Sequence, residues 1–121
     1  MVKNFLLVSL GGAVGSVLRY SVQRFVNTAA IPYGTLLVNL AGCFLIGLLW
    51  GLLNKNSISQ SGGLLLMSGF CGGFTTFSAF TYEGVQMMQD NRWVLLAVYI
   101  SASVFGGLVA TFTGYKLTNL L

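Results

Sequence analysis

The stretch Gly69-Phe70-Cys71-Gly72-Gly73-Phe74-Thr75-Thr76-Phe77-Ser78-Ala79-Phe80-Thr81-Tyr82-Glu83 holds most of the groups in this sequence that could handle an ion. Two adjacent glycines followed by two threonines make poor helix, so a break is expected there. At membrane depth, non-helical backbone survives only inside protein or beside a cavity. Carbonyls at such a break can coordinate Na⁺, and the N-terminus of the following half-helix can attract an anion. Phe77 and Phe80 are three apart and share a helical face. Phenyl rings at that spacing are ordinarily core, yet their positive edges can face an anion. Ser78 and Thr81 set hydroxyls beside them, and Glu83 lies two turns beyond Phe77.

Polar residues elsewhere sit in apolar surroundings, where burial is costly and a functional role is the first hypothesis. Asn39 offers two donors and an acceptor; it could tie two helices together or line a pathway. Arg19 follows Phe5 by about 21 Å of helix, at 1.5 Å per residue. There it could snorkel to lipid headgroups or draw anions into a vestibule. Tyr99, Ser103, Gly107 and Thr111 recur at i, i+4 spacing. The three hydroxyls among them could form a polar stripe through a bundle or bond back to their own helix.

Other chemistry is excluded by composition. The 121 residues include six Lys or Arg, two acids and no His. Imidazole-based nucleophile pairs, proton shuttles and metal ligation are therefore absent. Glu83 and Asp90 are the only acids, so a carboxylate-pair hydrolase would need both. Cys43 and Cys71 lie in different apolar runs without CxxC spacing and read as buried small hydrophobes. The net charge of +4 is scattered, so no nucleic-acid surface is expected. A protein of this kind moves its substrate, and no enzyme activity is expected.

The elements that must position these residues are membrane-spanning helices. Hydrophobic residues make up 55% of the chain and the mean hydropathy is +0.82. An average soluble domain is about one quarter charged, against 7% here. Four continuous apolar runs fall at about 4–26, 34–53, 62–88 and 93–117, each near the roughly 20 residues that cross a bilayer core. A β-barrel would instead alternate apolar and polar residues. One domain over 1–121 uses them all. The connections carry Pro32, the polar cluster from Asn54 to Ser61, and Gln89-Asp90-Asn91-Arg92. Gly11/Gly15, Gly47/Gly51 and Gly69/Gly73 are each four apart, as in close helix crossings in lipid. Lys3 before an apolar run imitates a signal peptide, and Leu40-Ala41-Gly42-Cys43 imitates a lipoprotein box. Processing is expected at neither, and the second lies deep inside another apolar run.

Orientation is not specified by charge. With the N-terminus cytoplasmic, Lys3, Lys55 and Lys116 fall on that side, and Arg24, Arg92 and the nearby Arg19 on the other. The positive-inside bias is almost nil. Insertion in both orientations would make an antiparallel two-fold dimer natural, an inverted repeat without gene duplication.

Three pieces of the chain carry a family resemblance: Gly11 to Tyr20 (GGAVGSVLRY), Gly34 to Asn39 (GTLLVN), and Gly69 to Phe80 followed by Glu83. Over essentially its whole length the chain resembles the Fluc (CrcB) family of fluoride channels. The resemblance implies an all-α integral membrane protein of four helices with a break in the third, forming an antiparallel dual-topology homodimer with two pores. It implies a structural Na⁺ at the dimer centre, held by the carbonyls of Gly72 and Thr75 of both subunits. Asn39 would donate to fluoride, and Phe77 and Phe80 would present ring edges to the pore. Ser78, Thr81, Tyr99, Ser103 and Thr111 would form a polar track, with Arg19 and Glu83 as the first-helix arginine and the acid at the pore end. Gly107 departs from the pattern, since the family commonly has another hydroxyl there.

The expected function is passive efflux of fluoride across the bacterial inner membrane, with membrane lipid and a second copy as partners. Neutral donors can replace the water of a small, strongly hydrated anion without trapping it. The alternative is a small multidrug-type, proton-coupled exporter. That class needs a membrane-embedded carboxylate in its first helix, and residues 1 to 30 contain no acid.

Overall fold

The computed structural model describes residues 1–121 as helices joined by short turns, with no strand. Helix α1 runs Val2–Val26, α2 Tyr33–Asn54, α5 Phe77–Gln89 and α6 Trp93–Leu117. Between α2 and α5 lie α3 (Gln60–Gly63), a π-helical segment (Leu64–Cys71) and α4 (Gly72–Phe74). Four stretches are long and apolar enough to cross a membrane: Val2–Val26, Tyr33–Asn54, Gln60–Gln89 and Trp93–Leu120. The π-helical winding of Leu64–Cys71 has no counterpart in the sequence reading. Apolar periodicity does not distinguish an i→i+5 ladder from an α-helix over two turns.

Two helix ends use the same device. Asn56 after α2 and Asn91 after α5 both take φ 56°, a left-handed conformation that asparagine tolerates better than most residues. The amide of Asn56 then donates to Leu53 O and that of Ser57 to Leu52 O. Asn91 and Arg92 repeat this with Met88 O and Met87 O. Both are Schellman caps, which satisfy the last carbonyls and turn the chain back sharply.

The bundle is held by glycine crossings. A Cβ on Gly11 would strike the backbone of Leu65 and Phe70, and one on Gly15 the backbone of Phe70 and Phe74. From the other side, a Cβ on Gly69 would come within 3.0 Å of Gly11 Cα and Val8 O. So α1 lies directly on the π segment. Between α2 and α6, Gly47 meets the backbone of Thr111, Gly51 meets the side chain of Thr118, and Gly114 meets the backbone of Phe44 and Leu48. All three spaced pairs sit at crossings, where packing rather than water exclusion holds helices together.

The outside is apolar. Phe5, Leu10, Val14 and Val17 on α1, and Val98, Phe105, Leu108 and Phe112 on α6, are exposed. A compact soluble monomer of 12.9 kDa would expose about 6,300 Å²; this chain exposes 7425 Å². Only a lipid phase or another apolar surface accommodates such a face.

Gly47→Ala and Gly114→Ala should therefore force α2 and α6 apart and destabilise the fold by about 1–3 kcal/mol. Gly12→Ala, whose Cβ would meet nothing nearer than Gly69 O at 3.8 Å, should be tolerated. Thermal unfolding in detergent separates them; equal melting of G47A and G12A would refute the crossing argument.

Candidate ion pathway

The backbone leaves helical geometry at Thr75 (φ −90°, ψ 158°) and Thr76 (φ −150°, ψ 118°). Several of the groups freed there are met by a side chain or a capping bond. Asn39 on α2 donates from Nδ2 to Thr76 O at 3.1 Å and accepts from Thr76 N at 2.8 Å. Thr76 Oγ1 accepts from Ala79 N at 3.2 Å and so caps α5. Thr75 donates twice to Cys71 O, from its amide at 3.0 Å and its hydroxyl at 2.9 Å. Arg19 on α1 donates from Nε to Gly73 O at 2.9 Å. An uninterrupted helix would send the Thr76 amide to Gly72 O. Asn39 holds that amide instead, which leaves the Gly72 carbonyl without its helical donor.

A hydrogen-bond chain runs from this point to the acid. The Arg19 guanidinium donates to Gln23 Oε1 at 3.3 Å, and Gln23 Nε2 donates to Thr35 Oγ1 at 3.0 Å. Thr35 Oγ1 donates to Glu83 Oε1 at 2.6 Å, and Tyr99 Oη donates to Glu83 Oε2 at 2.6 Å. Asn27 adds an amide at 3.4 Å to Thr35 Oγ1 and accepts from Thr35 N at 3.1 Å. Both carboxylate oxygens are thus occupied by neutral hydroxyls, and Arg19 reaches the acid only through Gln23 and Thr35. Thr35 is fully buried and Tyr99 is 4% exposed.

Two cavities flank this network. One, of about 410 Å³, is lined by Asn39, Cys43, Thr75, Phe77, Phe80 and Ser103 among others. The second, of about 270 Å³, is mostly polar and lies between the Asn27–Pro32 turn and the end of α5, with Glu83, Asp90 and Arg92 in its wall. Phe80 packs on Phe77 at 5.6 Å and on Tyr99 at 5.2 Å between ring centroids. The Phe80–Tyr99 pair therefore stands between the first cavity and Glu83.

The residues singled out in the sequence divide into three groups. Asn39, Gly72, Thr75, Phe77, Phe80 and Ser103 share the first cavity, while Tyr99, Glu83 and Arg19 belong to the network. The Ser103 Oγ is buried without a hydrogen-bond partner. Ser78 and Thr81 are exposed on the outer side of α5; Thr81 Oγ1 bonds back to Ser78 O at 3.0 Å, and Ser78 Oγ lies 3.3 Å from Thr76 Oγ1. Thr111 lies at the α2–α6 crossing, its backbone against Gly47, away from both cavities.

Sequence reasoning missed Gln23, Asn27 and Thr35. A signal was present: Arg19, Gln23 and Asn27 are successive i, i+4 positions, a polar line on one face of α1. Thr35 carried none, since a lone threonine at a helix start reads as an ordinary first-turn residue.

Asn39→Ala removes both bonds to Thr76, and a loss of about 2 kcal/mol is expected, near 1 per neutral bond. Hydrogen exchange at the Thr76 amide should rise in step with the drop in melting temperature. Unchanged protection in the variant would mean that Asn39 does not hold this segment.

Residues 6–115 match the family model described as CrcB-like protein, Camphor Resistance (CrcB). A protein of Flavobacterium psychrophilum named fluoride-specific ion channel FluC is 47% identical, with 98% of this chain and 99% of that one covered. One of Gloeothece citriformis with the same name is 44% identical, covering 96% and 97%. A relative in Rhodococcus jostii, fluoride-specific ion channel FluC 2, is also 44% identical, covering 94% and 97%. A match of this length, carried by relatives aligned end to end, places the chain in the CrcB family.

Proposed function

We propose that this chain is a fluoride-selective channel of the bacterial inner membrane, which lets cytoplasmic fluoride leave passively and relieves its toxicity. The observation that carries the reading is kinship: relatives named as fluoride-specific channels are 44–47% identical over nearly all of this chain. The first cavity supports it with neutral donors, the Ser103 hydroxyl and the second Nδ2 hydrogen of Asn39, beside the rings of Phe77 and Phe80. Neutral donors bind an anion firmly enough to strip water and loosely enough to release it.

The working unit is an antiparallel homodimer with two pores, built around a third helix that functions as two half-helices. The even spread of basic residues supports this. So does the apolar exterior, with Phe77 at 76% exposure on the open side of the cavity. The Gly72 carbonyl, deprived of its helical amide, and the Thr75 carbonyl, on extended backbone, would hold a structural Na⁺ together with their copies in the second subunit. Such a hard cation takes oxygen ligands, and Gly72 is exposed with open space where a Cβ would stand. Arg19 marks the vestibule, and Glu83 the pore end. Ser78 and Thr81, outward-facing in one chain, and Thr111 would contribute to the polar track only in that assembly.

The protein reconstituted in liposomes, with a K⁺ ionophore to balance charge and no proton gradient, should release fluoride to an electrode. Chloride efflux at a comparable rate would refute selectivity. Orientation is read separately with Lys55→Cys in a background lacking Cys43 and Cys71. An impermeant thiol reagent should label only part of the population from outside intact cells and the rest after permeabilisation; labelling of all copies from one side alone would refute dual insertion.

A further inference from the structure

The polar stripe on α6 has a gap at Gly107, between Ser103 and Thr111. An ideal Cβ built on Gly107 would have one neighbour within 4 Å, the Sγ of Cys43, at 3.3 Å. The volume next to Gly107 is therefore met by a thiol reaching across from α2. Cys43 follows Asn39 by four residues and so shares its face, just as Gly107 follows Ser103 on α6. Two short ladders thus oppose one another, Asn39 and Cys43 on α2, Ser103 and Gly107 on α6. Cys43, Asn39 and Ser103 all line the 410 Å³ cavity.

The other groups in this cavity show what the thiol is for. The Ser103 Oγ is buried and has no partner in the chain, an arrangement that is costly unless a ligand completes it. One ladder rung thus carries an unused donor, and the next rung, which lacks a hydroxyl on α6, carries a thiol from α2. Cys71 lines the same cavity but is 2% exposed, as the small core hydrophobe expected of both cysteines. Cys43 is only half-buried, at the cavity wall.

We infer that the Cys43 thiol is a hydrogen-bond donor to the passing anion at the level where Gly107 leaves α6 without one. A thiol is a weaker donor than a hydroxyl, so this rung assists passage without becoming a trap. The inference rests on the channel reading, and its failure can be told from the failure of that reading. If the wild-type protein passes no fluoride, the reading fails; the variants below address Cys43 alone.

Fluoride efflux from liposomes is compared for wild type, Cys43→Ala, Cys43→Ser, Gly107→Ser and the double variant Cys43→Ala with Gly107→Ser. All are first checked for a wild-type gel-filtration profile. Loss of one neutral donor should slow C43A about fivefold, while C43S stays within about twofold of wild type because its hydroxyl also donates. G107S alone should be slowed, since its new side chain crowds the Cys43 sulfur. The double variant should recover most of the rate, with the hydroxyl now offered from the opposite helix at the same level. Equal rates for C43A and wild type would overturn the proposal, and so would C43S as slow as C43A, which would reduce Cys43 to packing. A second readout needs no flux: in Cys71→Ser protein, the S–H stretching band of the remaining thiol should move to lower frequency when fluoride replaces nitrate in the buffer. An unmoved band would equally overturn it.

Discussion

The reciprocal pair between the Asn39 amide and the backbone of Thr76 is the interaction on which the rest of this structure depends. A chain that leaves helical geometry inside a membrane-spanning segment frees amides and carbonyls where no water can take them, each at a cost of several kcal/mol. Asn39 supplies a donor and an acceptor from a neighbouring helix to one residue. With that residue fixed, the Thr76 hydroxyl can cap α5, and α5 can begin at Phe77. The direction in which Phe77, Phe80 and Glu83 project follows from that start.

An amide side chain reaches only a few ångströms, so this bond requires α2 to lie close to the interruption. Glycine provides the closeness. Gly42 on α2 leaves room for the Thr75 methyl, and a Cβ there would collide with it. Gly73 does the same for α1, a Cβ there coming within 2.5 Å of Gly12 O. With α1 that close, Arg19 can donate to Gly73 O. The crossings are therefore part of the hydrogen-bond economy of the site as well as of the bundle's packing.

Much of this was legible in sequence, and the limits have physical causes. Four spans followed from charge scarcity and run length, because both are set by the bilayer. The glycine pairs followed from spacing, since i, i+4 positions share a face whatever the partner helix. The roles of Asn39 could not be separated, because either one needs the same donor and acceptor; the geometry gives the helix tie two bonds and leaves one N–H for the cavity. Thr35 was invisible, since its importance comes from Glu83, 48 residues away, across a contact that no local pattern encodes. The π-helical winding was equally invisible, as was the thiol of Cys43 standing in the gap at Gly107. Each depends on which helix crosses which, and at what height.

The few charges also follow one rule. Arg19 ends on Gly73 O, where α4 ends, and Lys55 ends on Thr118 O, where α6 ends. Arg24 and Lys116 lie in the last turns of α1 and α6. Four of the six basic residues thus stand at helix C-termini, where unpaired carbonyls and the helix dipole favour positive charge. No helix has an acid in its first turn, α5 included. Cations are spent on the negative ends, and the positive ends keep their partial charge. The N-terminus of α5 adjoins the 410 Å³ cavity through Thr76 and Phe77, so its partial positive charge faces that space. Glu83, farther along the same helix, has both oxygens taken by Thr35 and Tyr99. The only acid within the spans is thus anchored to α2 and α6 by two neutral hydroxyls, six residues beyond the start of α5.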